Sequence, residues 1–169
     1  MPSPEIQLLL RMIDEAYDRK SWHGTNLRGA IRGLGVDEVS WRPHPRRHNI
    51  WEIVLHAAYW KYTVRRRLLG EARGAFPLEG SNWFQRPSTD GNDDKQWKAD
   101  IAVLAETHRT MRDAVAALGA DAVDSVLVGS KMRTVSLITG IAAHDLYHAG
   151  QIQLLKRLQA DAFPSAKHT

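Results

Sequence analysis

The sequence predicts an all-α fold, an antiparallel four-helix bundle, and three observations carry that reading. Four segments place apolar residues at alternating steps of three and four. Cap residues open these segments, and glycine or proline closes most of them. No stretch alternates apolar and polar residues far enough to make a confident strand.

The first helix opens on Ser3 as N-cap with Pro4 behind it, where a missing amide proton costs nothing; Ile6, Leu9, Ile13 and Tyr17 then share a face. Gly24 interrupts, and a second amphipathic piece, Leu27, Ala30, Ile31 and Leu34, runs to Gly35. Pro43 and Pro45 force 41–45 out of any helix. Asn49 with Glu52 three residues on reads as a capping box for the next helix. That helix is apolar on more than one side through Trp60 and ends near Gly70 on Arg65, Arg66 and Arg67, where cations complement the helix dipole. Residues 71–92 form a long loop whose Phe76, Trp83 and Phe84 should pack down. The third long helix starts at Asp93–Asp94 and carries Trp97, Ile101, Leu104, His108, Met111, Val115 and Leu118 before Gly119. Residues 120–133 are ambiguous, with Val126–Val128 as a short extended candidate. The fourth runs from Thr134 to about Gln159, one face reading Leu137, Ile141, His144, His148, Gln151, Leu155 and Leu158.

Length and composition bound the function. The 169 residues suit one domain, 1–169, with one core, since 43% are hydrophobic. No apolar run approaches the roughly 18 residues of a membrane span, and the N-terminus has no signal-peptide pattern, so a cytoplasmic protein without a membrane partner is expected. With no cysteine, disulfides, thiolate ligands and cysteine nucleophiles are all absent. The net charge of +4 comes from 23 basic and 19 acidic residues of interspersed sign, so no specific nucleic-acid partner is expected. A nucleic-acid module would have to gather Arg46, Arg47, Lys61, Arg65, Arg66 and Arg67 on one face.

The chemistry concentrates on histidine. His144 and His148, four apart, project from one helix face within reach of one ion, and they interrupt an apolar stripe that should turn inward. A hydrogen-bonded core pair is the competing reading. His56, among Ile53, Tyr59 and Trp60, offers a third imidazole from a facing helix; His108, on its own helix's stripe, is the rival. His44 and His48 are also four apart, but the prolines around His44 assign them to a loop. His23 falls in a turn, and His168 lies at the terminus. Glu52, one turn before His56, could contact a ligand or a bound water, though its cap explains it without chemistry, and Asp145, about 100° around the helix from His144, should meet another element or a partner chain. Trp51, Tyr59, Trp60 and Tyr147 can wall a substrate pocket, with Gln151, one turn beyond His148, as a hydrogen bonder behind the histidines or a polar substrate contact. No phosphate-binding glycine loop and no nucleophile elbow is present.

His144-Asp145-Leu146-Tyr147-His148-Ala149-Gly150-Gln151-Ile152 resembles the last-helix signature of the DinB/YfiT-like family, and Ile50-Trp51-Glu52-Ile53-Val54-Leu55-His56 is similar to its second-helix segment. Trp22-His23-Gly24, Trp41-Arg42-Pro43 and Asn82-Trp83 also match in order. The resemblance implies an up-down-down-up bundle with short extra helical segments, frequently a homodimer. It also implies one divalent metal ion held by the histidines matching His56, His144 and His148. Relatives of this kind include thiol-dependent transferases, a thiol-dependent isomerase and metal-dependent hydrolases. The expected function is a metal-dependent enzyme acting on a small molecule with zinc or nickel, as a hydrolase or as a transferase using an exogenous low-molecular-weight thiol. The alternative is a non-catalytic metal-binding stress-response protein.

Overall fold

The computed structural model describes residues 2–74, 76–87 and 93–163. They form α1 (Pro4–Tyr17), α2 (Leu27–Ile31), α3 (Val36–Ser40), α4 (Ile50–Leu68), α5 (Asp93–Ala116), a 3₁₀ turn (Ala120–Ala122) and α6 (Thr134–Ala162). Among the described residues there is no named strand, only a lone antiparallel bridge between Val126 and Arg133. The fold is therefore all-helical. No described helix is long and apolar enough to cross a membrane.

Local chemistry sets most boundaries where the sequence placed them. Ser3 Oγ accepts from the Ile6 N–H, and Pro4 opens α1. Asn49 Oδ1 accepts from the Glu52 N–H at 2.8 Å, but Glu52 does not return the bond, so the expected capping box is only half made. Its carboxylate turns to Arg42, His48 and the Arg86 N–H instead, because charge-assisted partners outcompete one backbone amide. Past Leu69, Gly70 takes φ 66, a left-handed conformation that glycine adopts without strain and that stops α4. The piece expected to run from Leu27 to Gly35 stops at Ile31 and is followed by a separate short helix, α3. Gly33 at φ 77 makes the break. The ambiguous 120–133 stretch serves as a cap. Arg133 offers α6 no side-chain acceptor, and the Ser125 and Val123 carbonyls take the Thr134 and Val135 N–H groups instead.

The long helices pack α4 on α5, α1 on α6, α4 on α6 and α1 on α5. Apolar contacts gather in two regions. One holds Trp51, Leu55, Trp97, Leu104 and Ile152; the other holds Ile6, Ile13, Val64, Met111 and Ile138. On α4, α5 and α6 alike a polar stretch falls between the two: Lys61, then His108, then His144 and Asp145. Lys61 and Asp145, both fully buried, form an ion pair there, with the ammonium 5.0 Å from the Tyr17 ring. Lys61 is thus unavailable to a basic surface. Asp145 reaches another element, as expected from its angle on α6. Phe84 is buried and Phe76 packs against the core, in line with a loop that folds down. Trp22 is 98% exposed.

Candidate metal centre

His56 on α4 and His144 and His148 on α6 come together. His144 Nε2 lies 3.2 Å from His56 Nε2 and 3.1 Å from His148 Nε2. Nitrogens on one tetrahedral ion at ~2.0–2.1 Å bond lengths stand roughly 3.3 Å apart, so the spacing needs adjustment of only a few tenths of an ångström.

The far side of each ring decides what the near side offers. His56 Nδ1 lies 2.8 Å from the Asn82 carbonyl, which only accepts, so Nδ1 carries the proton and Nε2 the lone pair. His148 Nδ1 stands 2.7 Å from Gln151 Oε1, with the same consequence. At least two lone pairs therefore face the same point, where either a metal ion or the single proton of His144 Nε2 can answer them. Such outer hydrogen bonds are those that orient imidazole ligands. His144 Nδ1 is buried with no hydrogen-bond partner, so Nε2 is the ring nitrogen by which a partner can anchor it. Burial, reinforced by the neighbouring imidazoles, pushes His144 down to about 3. Burial pushes His148 to about 4 and lowers His56 as well. All three rings are neutral at pH 7, the state in which imidazole binds a metal.

The three histidines line a cavity of about 710 Å³, within the range of small-molecule sites. Of the residues expected to wall it, Trp60, Tyr147 and Gln151 do. Trp51 and Tyr59 do not. Trp51 Nε1 donates to Asp100 inside the core, and Tyr59 packs on Phe76 and Phe84. The cavity also takes Ile53, Trp83, Leu154, Leu155 and Leu158 as apolar wall and Arg47 and His48 as polar groups.

The other histidines sort cleanly. His108 stacks on Tyr17 at 3.6 Å outside the cluster, pushed down to about 2 by burial and by the nearby Lys61 and Arg112 charges. His23 is exposed in a turn and His44 lies in a loop. His168 lies outside the described residues. Two contributors escaped the sequence reading. Asn82, at φ 67, tethers His56 through its carbonyl and Trp60 Nε1 through its side chain at 2.9 Å. His48, assigned to a loop, is in one, but its ring lies on Trp83, whose other face covers His56. Its spacing of four from Glu52, across the helix start, was the available signal.

Comparison with protein families gives a match to the DinB superfamily over residues 20–152. Neither the curated proteins nor the solved structures yield a match.

Proposed function

Because the chain belongs to the DinB superfamily, we propose that it is a divalent-metal enzyme acting on a small molecule, as a hydrolase or as a transferase that uses an exogenous thiol. The observation that carries this reading is the convergence of three neutral imidazole Nε2 atoms in the wall of a cavity of about 710 Å³. Zinc and nickel both suit such donors. When bound, the ion supplies Lewis acidity and makes water or a thiol acidic enough to react at neutral pH. The chain does the rest. His56, His144 and His148 hold the ion, while Asn82 and Gln151 fix two of the rings. Trp60, Trp83, Tyr147 and Leu154 exclude water from the reactant's apolar part. Three protein ligands leave room for a reactant, as catalytic sites do.

The fold belongs to the same reading, as an up-down-down-up bundle. Asp14 on α1 pairs with Arg112 late in α5, Tyr17 stacks on His108 earlier in α5, and Trp51 early in α4 bonds Asp100 early in α5. These contacts support antiparallel α1 and α5 and parallel α4 and α5.

Elemental analysis tests the centre. Native protein should hold about one ion per chain. His148→Ala should lose most of it, and His44→Ala should keep it. Equal metal in both variants refutes the ligand assignment. Full metal without turnover in a screen of esters, amides and thiol-dependent transfers leaves a binding protein.

A further inference from the structure

His48 lines the same cavity as the three ligands and is not one of them. Its two ring nitrogens are treated differently. Nδ1 stands 2.9 Å from Glu52 Oε2. Glu52 is buried, and Arg42 donates to both its oxygens, at 2.9 and 2.5 Å, with the Arg86 N–H adding a third contact. Burial pushes that carboxyl up, but the hydrogen bonds from Arg42, His48 and Arg86 outweigh it and hold Glu52 below its ordinary value. An ionised carboxylate only accepts, so Nδ1 carries the proton and Nε2 the lone pair. No described residue partners Nε2. The ring is also fixed in plane, stacked on Trp83 at 3.6 Å and 3°. Trp83 stacks on His56 at 3.9 Å, and two rings so close to one indole must occupy opposite faces. His48 and the ligand His56 are therefore held about two stacking distances apart, both bordering the cavity.

We infer that His48 is the proton-transfer residue of this site, oriented by Glu52. The inference rests on the enzymatic reading above. For an ester and water, the water oxygen bonds to the acyl carbon while one of its protons passes to His48 Nε2. The bond from carbon to the alcohol oxygen then breaks, and that oxygen takes the proton from Nε2. Acid and alcohol leave, and the imidazole is restored. With a thiol as nucleophile, the S–H proton takes the same route. During the step Glu52 offsets the imidazolium charge, as a carboxylate does in other histidine dyads. The charged groups around the ring are Glu52, Arg42 behind it, and Arg47 next in the chain at the cavity wall; His56 lies beyond Trp83, and the Arg86 guanidinium faces Asp100.

A purely structural role, buttressing Trp83, would survive in His48→Phe, which keeps a ring for the stack and has no nitrogen. The probe is p-nitrophenyl acetate, with water alone and with added 2-mercaptoethanol. Metal-loaded wild type should turn over. His48→Phe, at equal metal content and melting temperature, should lose about 100-fold in kcat with little change in KM. Wild-type turnover with an unchanged kcat in His48→Phe overturns the role of His48 and spares the enzymatic reading. Absence of any metal-dependent turnover in wild type overturns both. Nitrogen-15 NMR of histidine-labelled protein, assigned by the resonances that His48→Phe lacks, should show a protonated Nδ1 and a bare Nε2. The opposite tautomer overturns the inference whatever the turnover.

Discussion

Asp145→Asn keeps the side chain's size and removes its charge, leaving the Lys61 ammonium at 0% exposure with no counter-ion. In the wild type burial already pushes Lys61 down and Asp145 up, and each charge partly offsets the other's penalty. Without the carboxylate the cheapest remedy is for Lys61 to fold neutral. Measured from the ordinary lysine value of 10.5, that costs about 1.4 kcal/mol per pH unit, so roughly 5 kcal/mol at pH 7 is the ceiling. Removing one partner of a buried pair typically costs about 3–5 kcal/mol, which agrees. At about 2–4 °C per kcal/mol for a chain of this size, Tm should drop by roughly 6–20 °C. The variant also acquires a pH dependence. Its folded Lys61 is neutral while the unfolded lysine is charged below 10.5, so the unfolded state binds more protons. Stability then rises with pH, by about 1.4 kcal/mol per unit between pH 7 and 10. Circular-dichroism melts of wild type and variant across that range are the assay. Lys61→Met with Asp145→Leu should recover most of the loss, since an apolar pair leaves no stranded charge. A penalty under about 1 kcal/mol, typical of an exposed pair, or a flat pH profile would refute the interior ion pair.

Four further outcomes follow. Metal-free protein should lose stability on acidification. His108, His144 and His148 have folded values near 2, 3 and 4 against 6.5 unfolded, so their contribution is complete above 6.5 and falls by up to about 1.4 kcal/mol per histidine per pH unit below it. Chelation should lower Tm at pH 7.5 and still do so at pH 5, because folded His144 and His148 stay neutral down to about 3 and 4, and identical melts with confirmed metal loss would remove the ion from the interior. A homodimer is proposed on the family likeness and on exposed Tyr147 and Leu154; light scattering should give twice 19.1 kDa at micromolar concentration, and a monomer mass refutes it. Nucleic-acid binding should be weak and vanish at physiological salt, and submicromolar sequence-selective binding there would reverse that expectation.

The helices and the histidine cluster were legible because both are periodic. Four-residue spacing put His144 and His148 on one face, and His56 stood out as a polar residue inside an apolar helix. Asp145's turn away from that face was also read from the helix angle. What periodicity cannot carry is any contact made across loops. Glu52 sits in a capping-box pattern, so its pairing with Arg42 was invisible until 41–49 folded back. Trp51 and Tyr59 share the helix of His56 but point to α5 and to the loop. The pairing of Lys61 with Asp145 had no local signal, because the two lie 84 residues apart.

Asn82 gives the site a mechanical side. This one loop residue, held at φ 67, grips His56 through its carbonyl and Trp60 through its amide, and its neighbour Trp83 fills the gap to His48. The helices bring the imidazoles close, but the loop chooses which nitrogen of His56 faces inward. Grip of this kind works in both directions: whatever immobilises His56 Nε2 also clamps the strand of chain at 82–83 from the other end. Release of the ion should therefore register first as quicker amide exchange and protease nicking at that segment, well before the helices loosen.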